Sequence, residues 1–215
     1  MTHYVPVMLK LEGRRCVIIG GGPVAERKAA SLIEAGAVVV VVAPDATNRL
    51  QSDQSAGRLI WEMRNYRKGD LDGAFLAYAA TDQPDINDAV VREAERLGIP
   101  VNHTGDGSKG SFITPSIVRR GGLILAVSTS GAGPGASRML SREIDERYGS
   151  EYEIYVDFLS FARSVVKGRV QDAGLRAKLY KSLTEMDILA SIREGRFHPW
   201  SKEELDAWID QQREE

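Results

Sequence analysis

The chain has 215 residues, 43% hydrophobic and 27% charged, with 28 lysines and arginines against 30 acidic residues and a net charge of −2. That balance gives no cationic excess for nucleic acid, the single cysteine rules out an intramolecular disulfide, and the start, Met1 to Pro6, carries neither a basic leader nor a long apolar run. Neither secretion nor membrane insertion is expected, and a reducing cytoplasm is the expected compartment.

The first predicted element is a buried strand at Val17–Ile19, a short apolar run that also makes Cys16 a small core residue. It ends at Gly20, Gly21 and Gly22, and a helix opens at Pro23, Val24 and Ala25. Gly20, Gly22 and Ala25 fill the small positions of the G-x-G-x-x-G/A pattern: one for the turn, one for close approach of backbone N–H groups to a pyrophosphate, one for helix packing. Pro23 suits a first helical turn, where its missing N–H costs nothing. Helical spacing of Ala25, Ala29, Leu32 and Ile33 runs to Gly36, and Val38–Val42 is the second strand. Strand, glycine turn, helix and strand within about thirty residues make a dinucleotide-binding unit. The pattern's acidic residue at the end of the second strand is displaced: Ala43 and Pro44 precede Asp45, which either reaches the adenosine ribose or caps the next helix. No arginine follows that strand directly, which favours NAD over NADP.

Further strands are expected at Leu59–Trp61, Ala74–Ala79 and Pro100–Asn102, with helices at about 45–56 and 85–97 between them. The fold class is therefore α/β, a Rossmann-type doubly wound parallel sheet. Thr81 and Asp82 follow the fourth strand, in the cofactor crevice of such a sheet, although Asp82 or Asp85 serves equally well as a helix cap. Next comes the polar loop Asn102–Gly110, then two strands within Ser111–Val118 and Leu123–Ser128, joined across Gly121 and Gly122. A second glycine-rich loop, Thr129–Ser137, opens a helix over Arg138–Tyr148, another anion-binding geometry. From about residue 149 the chain reads as a small helical domain, with boundaries near Gly168 and Gly174 and a capping box at Ser201 and Glu204 opening the last helix. The division is 1–112, 113–148 and 149–215.

Val5–Leu11, Gly20–Ala29, Ala79–Asp82, Ser111–Ser116 and Ala126–Gly131 together resemble the precorrin-2 dehydrogenase family of siroheme synthesis, over roughly residues 3–148. The resemblance implies NAD-dependent oxidation of precorrin-2 to sirohydrochlorin, with insertion of ferrous iron in some members. It also implies a homodimer whose contact is carried by residues 113–148, a small α+β segment. Ending near residue 215, the chain is similar to the stand-alone form, without the methyltransferase domain that some relatives carry.

Precorrin-2 bears eight carboxylates, so Lys109, Arg119, Arg120 and Arg138, with Arg142, are candidate anchors around the two glycine-rich loops, together with the hydroxyls of Ser111, Ser128 and Thr129. The family's catalytic aspartate falls on Gly105 when Asn102 and Ser111 are aligned without a gap. Asp106 stands one residue later and is the first candidate for accepting a proton, with His103 second. No His/Cys/Glu cluster has metal-ligand spacing, so no resident metal is expected. Two other classes remain open: a regulatory NAD-binding module, which would carry an acid at the end of the second strand, and a small-substrate dehydrogenase, which would show a lysine or histidine base in a separate catalytic domain.

Overall fold

The structure is a computed structural model that describes residues 3–130 and 133–214. Gly131 and Ala132, in the second glycine-rich loop, lie outside the described residues. The chain divides into two compact units, 1–114 and 115–215, so the middle segment and the helical tail lie together in the second.

The first unit is built on a five-stranded parallel sheet in the order β3-β2-β1-β4-β5. Its strands are β1 (Arg15–Ile19), β2 (Val38–Ala43), β3 (Ile60–Met63), β4 (Leu76–Ala79) and β5 (Val101–His103). The inner strands are apolar apart from Arg15, which opens β1, because both faces are covered. Cys16 and Ile18 pack on one face with Ala25, Ala29 and Leu32 of α1 (Pro23–Glu34) and Leu50 of α2 (Asn48–Ser55). Val17 and Ile19 pack on the other with Val90, Val91 and Ala94 of α3 (Pro84–Leu97). Cys16 is fully buried and its thiol is pushed up to about 11 by desolvation, as an inert core position requires.

The expected elements are present with shifted ends. Asp45 does not cap α2: Thr47 does, its Oγ1 accepting from Leu50 N at 3.3 Å. Nor do Asp82 or Asp85 cap α3, whose N-cap position is Gln83 without a side-chain bond. Ser111 and Phe112 are not yet strand. Both their N–H groups turn back to Val101 O, and Asn102 Nδ2 holds Phe112 O at 2.9 Å.

In the second unit, β6 (Ser116–Arg120) and β7 (Leu123–Val127) form an antiparallel hairpin that turns at Gly121 and Gly122. Helix α4 (Pro134–Arg147) packs on it. The tail is α5 (Glu151–Arg169), α6 (Ala173–Glu185), α7 (Ile188–Arg193) and α8 (Lys202–Glu214) around Phe158, Leu179, Leu183, Leu205 and Ile209. Gly168 lies inside the last turn of α5 and Gly174 in the first turn of α6, one residue or so from the expected boundaries. The capping box is formed, with Ser201 N donating to Glu204 Oε2 at 2.7 Å and Glu204 N donating to Ser201 Oγ at 3.2 Å. No helix among the described residues is long and apolar enough to cross a membrane.

Candidate functional site

Strand order reverses at β1, where β2 lies on one side and β4 on the other, and a cleft of about 550 Å³ opens beyond the carboxyl ends of these three strands. The glycine turn forms its floor. Gly20 N donates to Val42 O at 3.0 Å, and a Cβ on Gly20, at φ +127°, would meet Ala80 O at 2.2 Å. A Cβ on Gly21 would meet Asp45 O at 1.9 Å. These two glycines let the turn pass between the ends of β2 and β4. Gly22 differs: a Cβ there would meet nothing within 4 Å, and no side chain caps α1. An open position at an uncapped helix N-terminus fits the pyrophosphate of a dinucleotide, which needs backbone N–H donors and the positive end of the dipole.

Of the predicted cofactor residues, Gly20, Gly21, Gly22, Pro23, Pro44, Asp45, Thr81 and Asp82 line this cleft. Val24 and Ala25 do not: Ala25 is fully buried on the core side of α1 and Val24 packs on the same core. Asp45 and Asp82 are exposed at the cleft wall.

Thr81 is fixed by a residue that carries no motif. Asn87 Oδ1 accepts from Thr81 N at 3.1 Å and from Thr81 Oγ1 at 2.8 Å, while Asn87 Nδ2 donates back to Thr81 O at 3.0 Å. Asn87 is 4% exposed, so this exchange satisfies a buried amide and sets the turn from β4 into α3. Asn65 and Tyr66, after β3, also line the cleft. The Tyr66 hydroxyl donates to Glu93, whose other oxygen takes Gly69 N at 2.6 Å. Burial, then this hydrogen bond, pushes the phenol well above its ordinary value, so it stays protonated.

The loop after β5 is organised from within. Thr104 N and Oγ1 both donate to Ala79 O at 3.0 Å, beside Ala80 of the cleft wall. His103, 6% exposed, accepts at Nδ1 from Asp106 N at 2.8 Å and Gly105 N at 3.2 Å. The neutral ring therefore carries its proton on Nε2, which has no hydrogen-bond partner and lies 3.6 Å from Asp88 Oδ1. Asp106 Oδ1 accepts from Ser108 Oγ at 2.6 Å and Ser108 N at 2.9 Å, and these bonds hold its carboxyl below the usual carboxylate range. Lys109 Nζ pairs with Asp88 Oδ1 and Oδ2 at 2.7 and 2.9 Å. Ser111 Oγ is engaged by the backbone of Val101.

In the second unit, Arg119 and Arg120 lie on β6 and Arg138 on α4. Arg119 and Arg138 are exposed, while Arg120 Nη2 bonds Asp145 Oδ1 at 2.8 Å and Asp145 O at 3.0 Å. Ser128 Oγ accepts from Ser130 N at 3.3 Å, and Thr129 Oγ1 lies 3.5 Å from Gly133 O. Among the described residues no three His, Cys, Asp or Glu side chains group to hold a metal ion.

Residues 7–116 match the NAD(P)-binding family model NAD_binding_7. The chain belongs to this NAD(P)-binding family. It is also similar to siroheme synthases: 39% identical over 192 residues to that of Methylobacillus flagellatus, covering 89% of this chain and 41% of the relative, and 34% identical over 193 residues to that of Chromobacterium violaceum, covering 90% and 41%. The chain thus spans about two-fifths of the length of these curated relatives. Among solved structures, SirC, a precorrin-2 dehydrogenase, shares the fold with a TM-score of 0.77 at 24% identity, over 97% of this chain and 100% of that one. The resemblance carried by the sequence motifs and these comparisons agree.

Proposed function

We propose that the protein is an NAD-dependent dehydrogenase that oxidises precorrin-2 to sirohydrochlorin in siroheme synthesis. The reading is carried by the open cradle at Gly22, set in a chain of which nine-tenths aligns with siroheme synthases. When bound, the nicotinamide supplies the hydride acceptor. Gly20–Gly22 hold the pyrophosphate, Asp45 takes the ribose hydroxyls, and Thr81, locked by Asn87, sets the wall beside the ring. NAD rather than NADP fits because Arg49, the first cation after β2, is turned to Asp53 at 3.3 Å.

The substrate's carboxylates call for cations, and the exposed Arg119 and Arg138 of the second unit are candidates beside Lys109 of the loop, which holds Asp88. Ser128 and Thr129 would add hydroxyls, whereas Ser111 contributes by shaping the loop. A carboxylate drawn below its ordinary range is a weak base, so Asp106 in its present bonding favours substrate oxidation with the proton passing to water. The protein works in the cytoplasm as a homodimer through the β6–β7 hairpin, where Ile117 is exposed on a two-stranded sheet with free edges.

Anaerobic mixing with precorrin-2 and NAD, following NADH and the sirohydrochlorin spectrum together, tests this reading. Equal yields of both support it, and NAD binding without turnover overturns it in favour of a binding module. Adding ferrous iron to the same cuvette reads whether iron is a second substrate.

A further inference from the structure

We infer that His103 is a positioning residue that latches the Gly105–Asp106 turn only while its imidazole is neutral, so that protonation of Nδ1 releases the loop beside the cofactor cleft. Two backbone donors converge on one ring nitrogen in a site that is 6% exposed. Nδ1 is an acceptor only in the neutral Nε2–H form; an imidazolium has N–H at both positions and would set a third donor against Gly105 N and Asp106 N. The ring is the buried last residue of β5, and its Nε2 edge is enclosed without a hydrogen-bond partner, so turning over offers Nδ1–H no acceptor there. A buried donor–donor opposition costs more than the bonds it replaces, so the loop gives way.

The charged groups facing the ring are Asp88 on α3, 3.6 Å from Nε2, and the Asp106 carboxylate and Lys109 on the loop itself, Lys109 being bound to Asp88. Arg92 on α3 acts on the Asp88–Lys109 pair. The loop carries Gly105, Asp106 and Lys109 and is rooted by Thr104 on Ala79 O, next to the cleft residue Ala80. Acid release therefore frees the loop that adjoins Ala80 of the cleft wall while the glycine turn stays folded. The effect on turnover rests on the dehydrogenase reading, but the latch does not.

The test uses the full-length chain. Nitrogen-15 shifts of the His103 ring and the amide signals of Gly105 and Asp106 are followed from pH 5 to 9. The Nε2–H form above the ring's midpoint, with both amides moving at that same midpoint, is the expected result. An Nδ1–H tautomer, or amides that ignore the ring's titration, overturns the latch.

In turnover with precorrin-2 and NAD, His103→Leu lowers kcat about tenfold by loosening the loop. His103→Asn, whose amide oxygen replaces the Nδ1 acceptor and does not titrate, restores most of that loss and removes the acid limb of the kcat profile. An unchanged acid limb in the Asn variant also counts against the proposal. If wild-type protein gives no turnover, the dehydrogenase reading fails while the spectra on wild-type protein still decide the latch.

Discussion

The glycine turn after β1 and the loop after β5 both leave the carboxyl edge of one sheet, and they treat their polar atoms in opposite ways. At the turn, Gly20 and Gly21 are pressed against the carbonyls of Ala80 and Asp45, but Gly22 faces open space at a helix end that no side chain caps. In the loop, Thr104, Asp106, Lys109, Ser111 and the Nδ1 of His103 all bond one another or nearby backbone and side chains, and His103 Nε2 is the buried exception. Polar atoms left over mark where a ligand sits, and polar atoms used up mark what holds the ligand's surroundings in shape. By that criterion the open cradle at Gly22 is the stronger candidate for a ligand, while the bonds of the loop after β5 run mostly inward.

The contrast is tested most strongly within the turn itself. Gly22→Ser places a Cβ in the cradle and supplies a good N-cap, so the melting temperature should hold or rise while NAD affinity falls about 100-fold, or ~2.8 kcal/mol. Gly20→Ala should do the reverse, costing ~3 kcal/mol of stability through the clash with Ala80 O at positive φ. Calorimetric NAD titration beside thermal melts separates the two. Equal losses in both assays for Gly22→Ser would mean that the cradle is structural after all.

Asn87 extends the comparison to the cleft wall. Asn87→Leu keeps the branched outline but strands Thr81 N–H and Thr81 O, and should lower stability by ~2 kcal/mol. NAD affinity should fall with it, because Thr81 no longer holds the β4–α3 turn. A chemical denaturation series on the variant checks the first effect and the calorimeter the second.

The turn is legible in the sequence because its signal is local: a strand, three small residues and a helix start lie in unbroken order, and each has its own physical reason. Asn87 is not, since a single amide in an amphipathic helix looks like any solvated polar residue until β4 is brought to it. Asn65 and Tyr66 belong to the same class, on a loop that becomes cleft wall only through Glu93, 27 residues beyond Tyr66. Asp45 is the cap that the sequence suggests for α2, and the backbone of the glycine turn gives the place to Thr47 instead: Thr47 N is taken by Gly21 O, which fixes Thr47 at the helix start. His103 and Asp106 were singled out for their chemistry, but their relation is one of ring nitrogen to backbone N–H, which residue types do not display.

Below the glycine turn, acid should act through Asp53 and Asp70. Burial raises both carboxyls, but hydrogen bonds from Arg58 and from Arg64 outweigh it and hold each below the ordinary aspartate value of 3.8. A depressed folded pKa contributes stability that is complete above the unfolded value and is lost as pH falls through it toward the folded one. Urea midpoints should therefore stay level down to about pH 5 and drop below about pH 4. In Asp53→Asn the plateau should be lower and the acid slope shallower. A slope unchanged by the substitution would assign acid sensitivity to other carboxylates.

The smallest effect is expected at Lys109, and it bears directly on which region meets the substrate. Lys109→Ala removes a cation from the loop, but its charge is already balanced by both oxygens of Asp88, in solvent that screens the pair. The KM for precorrin-2 should change less than about threefold, whereas loss of an unscreened anchor to a substrate carboxylate would cost tenfold or more. Arg138→Ala, on α4, is the matching substitution in the second unit. If the lysine variant loses tenfold and the arginine variant nothing, the loop binds substrate after releasing Asp88, and its internal bonds describe a resting arrangement that tetrapyrrole carboxylates displace.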